Sequence, residues 1–246
     1  MSSYTAKRLR SETTCVMDTS AVSAALDVSP ERGLAEDEAA RRLAQHGPNE
    51  LRAAASVPRW RRLVAQFEDP LIYLLIGAIV ISLAAWLAEG RHGLPVDAFV
   101  IALIVIVNAI LGYVQETKAE SAVAALARMT AVTSSVLRGG VVKRLESAAL
   151  VPGDILVLGE GDSVGADARL VQCASLRVQE ASLTGESEPV LKDAATLPAP
   201  APLGDRSNMV FKGTAVVQGS GRALVTATGM DTEVGSIAEL LETTTE

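Results

Sequence analysis

Residues 180–190 read Glu180-Ala181-Ser182-Leu183-Thr184-Gly185-Glu186-Ser187-Glu188-Pro189-Val190. At their centre, Thr184-Gly185-Glu186-Ser187 sets one carboxylate beside a glycine and between two small hydroxyl residues. Glycine lets the backbone take φ > 0 and approach another surface closely. The hydroxyls can fix a loop through local side-chain to backbone hydrogen bonds. The pattern is suited to presenting Glu186. Taken alone, the same residues read first as a polar β-turn between two strands, so the flanking sequence has to decide.

On both sides the chain reads as short strands. Val132–Leu137 and Val141–Leu145 flank Arg138-Gly139-Gly140, a hairpin signal. Ile155–Leu158 follows the turn Pro152-Gly153-Asp154. Arg169–Val171, Leu176–Val178, Val210–Phe211, Thr214–Val217 and Ala223–Ala227 complete the set. Close spacing with Gly/Asp turns predicts a compact β domain. Asp193–Asp205, with prolines at 198, 200 and 202, reads as an extended surface loop, and Gly235–Leu241 as the start of a helix.

Upstream, two uncharged apolar runs dominate, Leu71–Ala88 and Ala98–Val114. Each is about long enough to cross a bilayer core. A charge at mid-membrane costs roughly 2.5–3.5 kcal/mol, so two clean runs are informative. The loop from Glu89 to Asp97 is short, which predicts an antiparallel hairpin. Arg52, Arg59, Arg61 and Arg62 precede the runs, Lys118 and Arg128 follow them, and the loop holds only Arg91. That asymmetry puts both chain ends in the cytoplasm. Pro58–Leu63, with Trp60, suits the membrane interface. Asn108 reads first as a hydrogen-bonding group between helices, with an ion ligand as the alternative. Gln115–Arg128 holds good helix formers without Gly or Pro, so the second span should continue as a rigid stalk.

Residues 1–18 are polar, carry no secretory signal pattern and are expected to be disordered. Residues 19–51 read as two short helices. One starts at Ser29-Pro30-Glu31. The other runs from Glu36 to His46, acidic at its start, basic toward its end and stopped by Gly47-Pro48. Ala35 stands where a Ser or Thr cap is preferred, a loss of roughly 1 kcal/mol.

Composition narrows the function. The formal net charge of -7 and the lack of a Lys/Arg stripe argue against a nucleic-acid surface. Cys15 and Cys173 are isolated, and with only two histidines neither a disulfide framework nor a soft-metal site is indicated.

Several pieces in fixed order now resemble the N-terminal part of a type II P-type cation-transporting ATPase, similar to calcium pumps. They are His46–Leu51, Phe67–Ile72, Asn108–Glu116, Val151–Asp154, Gly161-Asp162, Ala166–Leu170, Glu180–Val190 with Lys192, Asn208–Thr214 and Thr228–Gly235. Gly165, Gln179 and Ser236 depart from the usual residues. The resemblance implies an α+β membrane protein: a transmembrane helical hairpin, N-terminal helices and a cytoplasmic β-rich actuator domain built as a distorted jelly roll. The implied organisation is a disordered 1–18, an N-terminal helical segment at 19–58 packing with the actuator domain and a hairpin at 59–114 with spans near 71–88 and 96–114. A stalk at 115–130, an actuator β domain at 131–236 and a linker start at 237–246 follow.

In such pumps another domain forms an aspartyl-phosphate from ATP, and the actuator loop completes its hydrolysis. By this resemblance Glu186 would position and deprotonate water, while Thr184, Gly185 and Ser187 would shape the loop. ATP and Mg2+ are implied for the full-length pump, and no cofactor or metal site is expected in this chain. The implied partners are the lipid bilayer, the remaining pump domains and a transported cation, with Ca2+ the first expectation; the implied place is the cell membrane. The phosphorylation sequence Asp-Lys-Thr-Gly-Thr does not occur in these residues, so the chain by itself is expected to hydrolyse no ATP. The alternative is a truncated, non-catalytic membrane-anchored regulator or a degenerate remnant.

Overall fold

The computed structural model describes residues 10–51, 70–88, 90, 94–129 and 132–244. Pro58–Leu63, Phe67–Asp69 and the arginines at 52, 59, 61, 62 and 91 lie outside them. The chain divides into two units: residues 1–52 with 131–246, and residues 53–130.

In the first unit seven strands form one sheet: β1 (Thr133–Arg138), β2 (Val141–Glu146), β3 (Ile155–Gly159), β4 (Asp167–Gln179), β5 (Val190–Leu191), β6 (Met209–Val210) and β7 (Ala215–Ala227). Their order is β2-β1-β3-β7-β4-β5, with β6 pairing β4, and every strand pair is antiparallel. The β1–β2 hairpin turns at Gly139 (φ 58°) and Gly140 (φ 79°), both positive as the favoured two-residue turn requires.

Four of the anticipated short strands are two long ones. β4 joins Arg169–Val171 to Leu176–Val178, and β7 joins Thr214–Val217 to Ala223–Ala227. The polar stretches between them read as turns. Instead, the register shifts between Ala174 and Arg177, and the paired backbones continue through the bulge opposite Gln218–Gly221.

Strand alternation divides the apolar residues between two faces. Val136, Leu156, Ala223 and Val225 enter the main core with Leu158, Leu170, Leu176 and Val178. Their neighbours Leu137, Ile155 and Leu224 point the other way, onto Val22 and Leu26. Those two belong to helix α2 (Thr19–Ala25) or its C-cap, and Asp18 caps the helix start through the Ser20 N–H. Fully burying side chains of this size stabilises by roughly 1.5–3 kcal/mol each.

The N-terminal residues depart from expectation in two places. Ser29-Pro30-Glu31 forms a turn, and the helix lies earlier, at α2. Residues 10–18, expected to be disordered, contain a helical turn, α1 (Ser11–Thr14), and Cys15 is fully buried against Met209 and Phe211. Their polarity concealed this because, apart from the Cys15 side chain, the segment is held by polar groups, the Ser11 hydroxyl on Arg206 and Glu233 and two backbone carbonyls. The carbonyl of Cys15 accepts from Asn208 Nδ2 (2.8 Å) and that of Met17 from Arg169 Nη2 (3.5 Å). Helix α3 (Glu36–His46) has the anticipated bounds, with Ala35 as an unassisted N-cap. It is held by Arg42, which reaches the Pro152 carbonyl at 3.0 Å.

The second unit contains α4 (Pro70–Ala88) and α5 (Val96–Met129), which pack against each other. Val96–Lys118 has a mean hydropathy of 2.3 and is long and apolar enough to cross a membrane; Ile72–Ala88 is a shorter apolar helix. Large apolar side chains such as Leu74, Ile81, Phe99 and Leu103 are exposed, as is Asn108.

Candidate functional site

The residues Thr184, Gly185, Glu186 and Ser187 lie together where β4 ends. Glu180 closes the strand and is 1 % exposed. The next residues form one helical turn, α6 (Ala181–Thr184), in which the N–H groups of Leu183 and Thr184 both bond the Glu180 carbonyl. Gly185 ends the turn in the left-handed region (φ 77°, ψ -3°). A helix commonly ends on such a residue, and glycine takes the conformation without a Cβ penalty.

The hydroxyl of Thr184 donates to the Glu180 carbonyl (3.1 Å) and accepts from the Glu186 N–H (3.3 Å). Gln179 Nε2 donates to the Ser187 carbonyl (3.0 Å). The backbone on both sides of Glu186 is therefore fixed. Its side chain is exposed and meets no hydrogen-bond or ion-pair partner among the described residues. The anticipated turn is present, but it is helical on its first side.

The foot of this loop is more elaborate than the sequence reading suggests. Lys192 follows β5, which pairs with the last residues of β4, so the loop returns beside its start. Lys192 Nζ lies 2.6 Å from Glu180 Oε1, with the side chains 0 % and 1 % exposed, and 5.6 Å from the centre of the Phe211 ring. Burial pushes the Glu180 carboxyl up and the Lys192 ammonium down, and each partner's charge opposes the shift. Leu183 packs against the Cys15–Met209–Phe211 cluster. Both residues stand in the resembling stretch, but their pairing was missed because a glutamate at a strand end reads as surface and nothing in the sequence shows that Lys192 returns beside it.

No group of three or more His, Cys, Asp or Glu residues that could hold a metal ion occurs among the described residues.

A β domain that carries such a loop, with N-terminal helices folded onto it, defines an actuator domain. The P-type ATPase actuator domain family matches residues 128–242, and the cation transporter/ATPase N-terminus family matches residues 16–82. The chain is 42 % identical over 221 residues to calcium-transporting ATPase 1 of Bacillus cereus, covering 88 % of this chain and 24 % of that protein. It is 44 % identical over 216 residues to the probable cation-transporting ATPase F of Mycobacterium tuberculosis, covering 88 % and 23 %. It is 42 % identical over 217 residues to the endoplasmic reticulum-type calcium-transporting ATPase 2 of Arabidopsis thaliana, covering 84 % and 21 %. The chain belongs to the P-type cation-transporting ATPases and corresponds to their N-terminal part. It spans about a quarter of the length of these relatives.

Proposed function

We propose that this chain is the actuator and first membrane segment of a pump that couples ATP hydrolysis to cation transport. The observation that carries the reading is Glu186: exposed, without a partner of its own, and held on a loop whose backbone is fixed on both sides.

In the proposed step the loop meets an aspartyl-phosphate formed elsewhere in the pump. Glu186 orients a water molecule and accepts one of its protons. The water oxygen bonds to phosphorus as the bond from phosphorus to the aspartyl oxygen breaks, releasing inorganic phosphate and a free carboxylate. The catalytic contribution is positioning and proton transfer. Thr184 and Gly185 set the carboxylate's direction, and Ser187 extends the braced segment. ATP and Mg2+ act in the phosphorylating part of such a pump, and no residue of this chain is assigned to either. The transported cation is proposed to be Ca2+, on the names of two of the relatives above.

The same reading makes α4 and α5 an antiparallel pair across the bilayer of the cell membrane, with the β domain in the cytoplasm. The support is the apolar surface of both helices and the arginines before the first of them. Beyond Met129 the chain would enter a β domain shaped as a distorted jelly roll, with residues 131–236 as its body and 237–246 leading toward further membrane helices. The partners would be lipid, the remaining pump domains and the cation.

The test is the decay of the phosphorylated intermediate in the full-length pump carrying Glu186→Gln. General-base loss should slow decay by about 10²–10⁴-fold with phosphoenzyme formation intact. Decay at the wild-type rate rules out the role given to Glu186.

A further inference from the structure

The chain passes into or out of the β domain at three places: after Leu51, at Val132, and through the C-terminal helix α7 (Glu233–Thr244). These are far apart in sequence, yet one hydrogen-bonded cluster touches all three.

Its centre is Asn49, 3 % exposed. Asn49 Nδ2 donates to the carbonyls of Ser147 and Gly165, each at 2.8 Å. Its Oδ1 accepts from the Gly229 N–H (2.8 Å) and from Lys212 Nζ (2.9 Å). Lys212 Nζ also reaches the Asn49 carbonyl at 2.8 Å. Both amide protons and both oxygen lone pairs of the Asn49 side chain are thus used.

From Asn49 the bonds run on to the other two crossings. Ser147 donates its N–H to the Val132 carbonyl (2.8 Å), and its hydroxyl meets that of Ser134 at 2.7 Å. The Lys212 N–H donates to Asp167 Oδ1 (2.8 Å), and Asp167 Oδ2 accepts from the N–H of Glu233, the first residue of α7 (2.8 Å). Gly229, bonded to Asn49, stands just before that helix.

We propose that Asn49 and Lys212 are positioning residues that tie the three chain crossings of the β domain into one node, so that the domain moves its connections together. Apolar packing alone fixes such segments less directionally than a fully satisfied buried network, which rigidifies what it joins. The mechanical part rests on the pump reading above: a rotating actuator whose crossings were held separately would stretch one connection before the others responded. The node is an arrangement within the β domain and is testable without that reading.

The first arm measures amide hydrogen exchange on the 246-residue protein in detergent micelles. Lys212→Met keeps the backbone N–H on Asp167 but removes both bonds to Asn49. Exchange in residues 49–51 and 229–233 should rise together by about tenfold, while 155–158 and 168–170 stay protected. Lys212→Arg, which retains donors for both oxygens, should restore protection. Asn49→Asp keeps the acceptors and loses both side-chain donors, so it should loosen 132–134 more than 229–233. Loosening confined to 49–51 in Lys212→Met, or no distinction between the Asn49 and Lys212 variants, overturns the node.

The second arm follows phosphoenzyme decay in the full-length pump. Lys212→Met should slow it by about tenfold with Glu186 intact, and Lys212→Arg should recover it; an unchanged rate in Lys212→Met overturns the coupling role. A wild-type protein that forms no phosphoenzyme fails the pump reading instead, and the exchange arm then decides the node alone.

Discussion

Breaking the buried pair beneath the loop should cost more than removing it. Glu180 and Lys192 are both almost fully buried and 2.6 Å apart. Deleting one partner leaves an uncompensated buried charge, a loss of about 3–5 kcal/mol. With a urea slope of ~2 kcal/mol per molar, the unfolding midpoint should fall by ~1.5–2.5 M. Replacing both residues by methionine removes both charges and should return stability to within ~1 kcal/mol of wild type, or above it.

The two single variants should differ in the sign of their pH dependence. In Lys192→Met the orphan is Glu180, whose carboxyl burial already pushes up. A raised folded-state value favours the protonated form, so the penalty is absent below the ordinary carboxylate range and grows as pH rises. In Glu180→Met the orphan is Lys192, pushed down by burial. There the neutral form is favoured, so the penalty grows as pH falls.

Cys15 supplies the assay. It is 0 % exposed and packs with Phe211, the ring beneath Lys192. In a Cys173→Ser background, pulsed thiol labelling of Cys15 against urea, at pH 5 and pH 9, reads opening of this region. The reasoning is refuted if either single variant costs under ~1 kcal/mol at both pH values, or if the double variant loses the sum of the two.

Three further outcomes follow from the same structure. Gly185→Ala should cost ~1 kcal/mol, because φ is 77° while a Cβ there would meet nothing within 4 Å; the melting temperature should fall by only ~2–4 °C, but phosphoenzyme decay in the pump should slow. Burial pushes Asp167 up to about 7, against the N–H groups of Lys212 and Glu233 that favour its ionised form. Its folded-state value lies above the unfolded one, so its contribution is present below pH ~4 and lost as pH rises to 7; domain unfolding in urea should show roughly 3–4 kcal/mol less stability at pH 8 than at pH 4 from this group. Deleting residues 1–17 should lower stability by at least ~2 kcal/mol in the same titration, because the buried donors of Asn208 and Arg169 lose the carbonyls of Cys15 and Met17.

What the sequence made legible was local. Helix α3, the Gly139-Gly140 hairpin and the two apolar runs each carry their signal within a few turns or strands. The presentation of Glu186 was also readable, because Thr184 and Gly185 act on their immediate neighbours. The continuity of β4 and β7 was not, since a bulge in one strand is visible only from its partner's register. Residues 10–18 look solvated by composition, yet their carbonyls complete polar groups contributed by residues 169 and 208. Glu180 and Lys192, and likewise Asn49 and Lys212, are brought together by tertiary contacts that no periodicity encodes. Sequence patterning therefore located the presented group, while the parts that hold it became visible only in three dimensions.

The division of the β domain between residues 1–52 and 131–246 has a consequence for biosynthesis. The buried residues that Val22, Leu26 and Cys15 pack with, Leu137, Ile155, Met209, Phe211 and Leu224, lie in or next to strands made after the two apolar helices. At a synthesis rate of about 5–20 residues per second, the first segment waits on the order of ten seconds before those strands leave the ribosome. The nascent N-terminal segment should be a chaperone client, and slowing translation between residues 52 and 131 should lengthen its exposure and increase aggregation without altering a single contact of the finished protein.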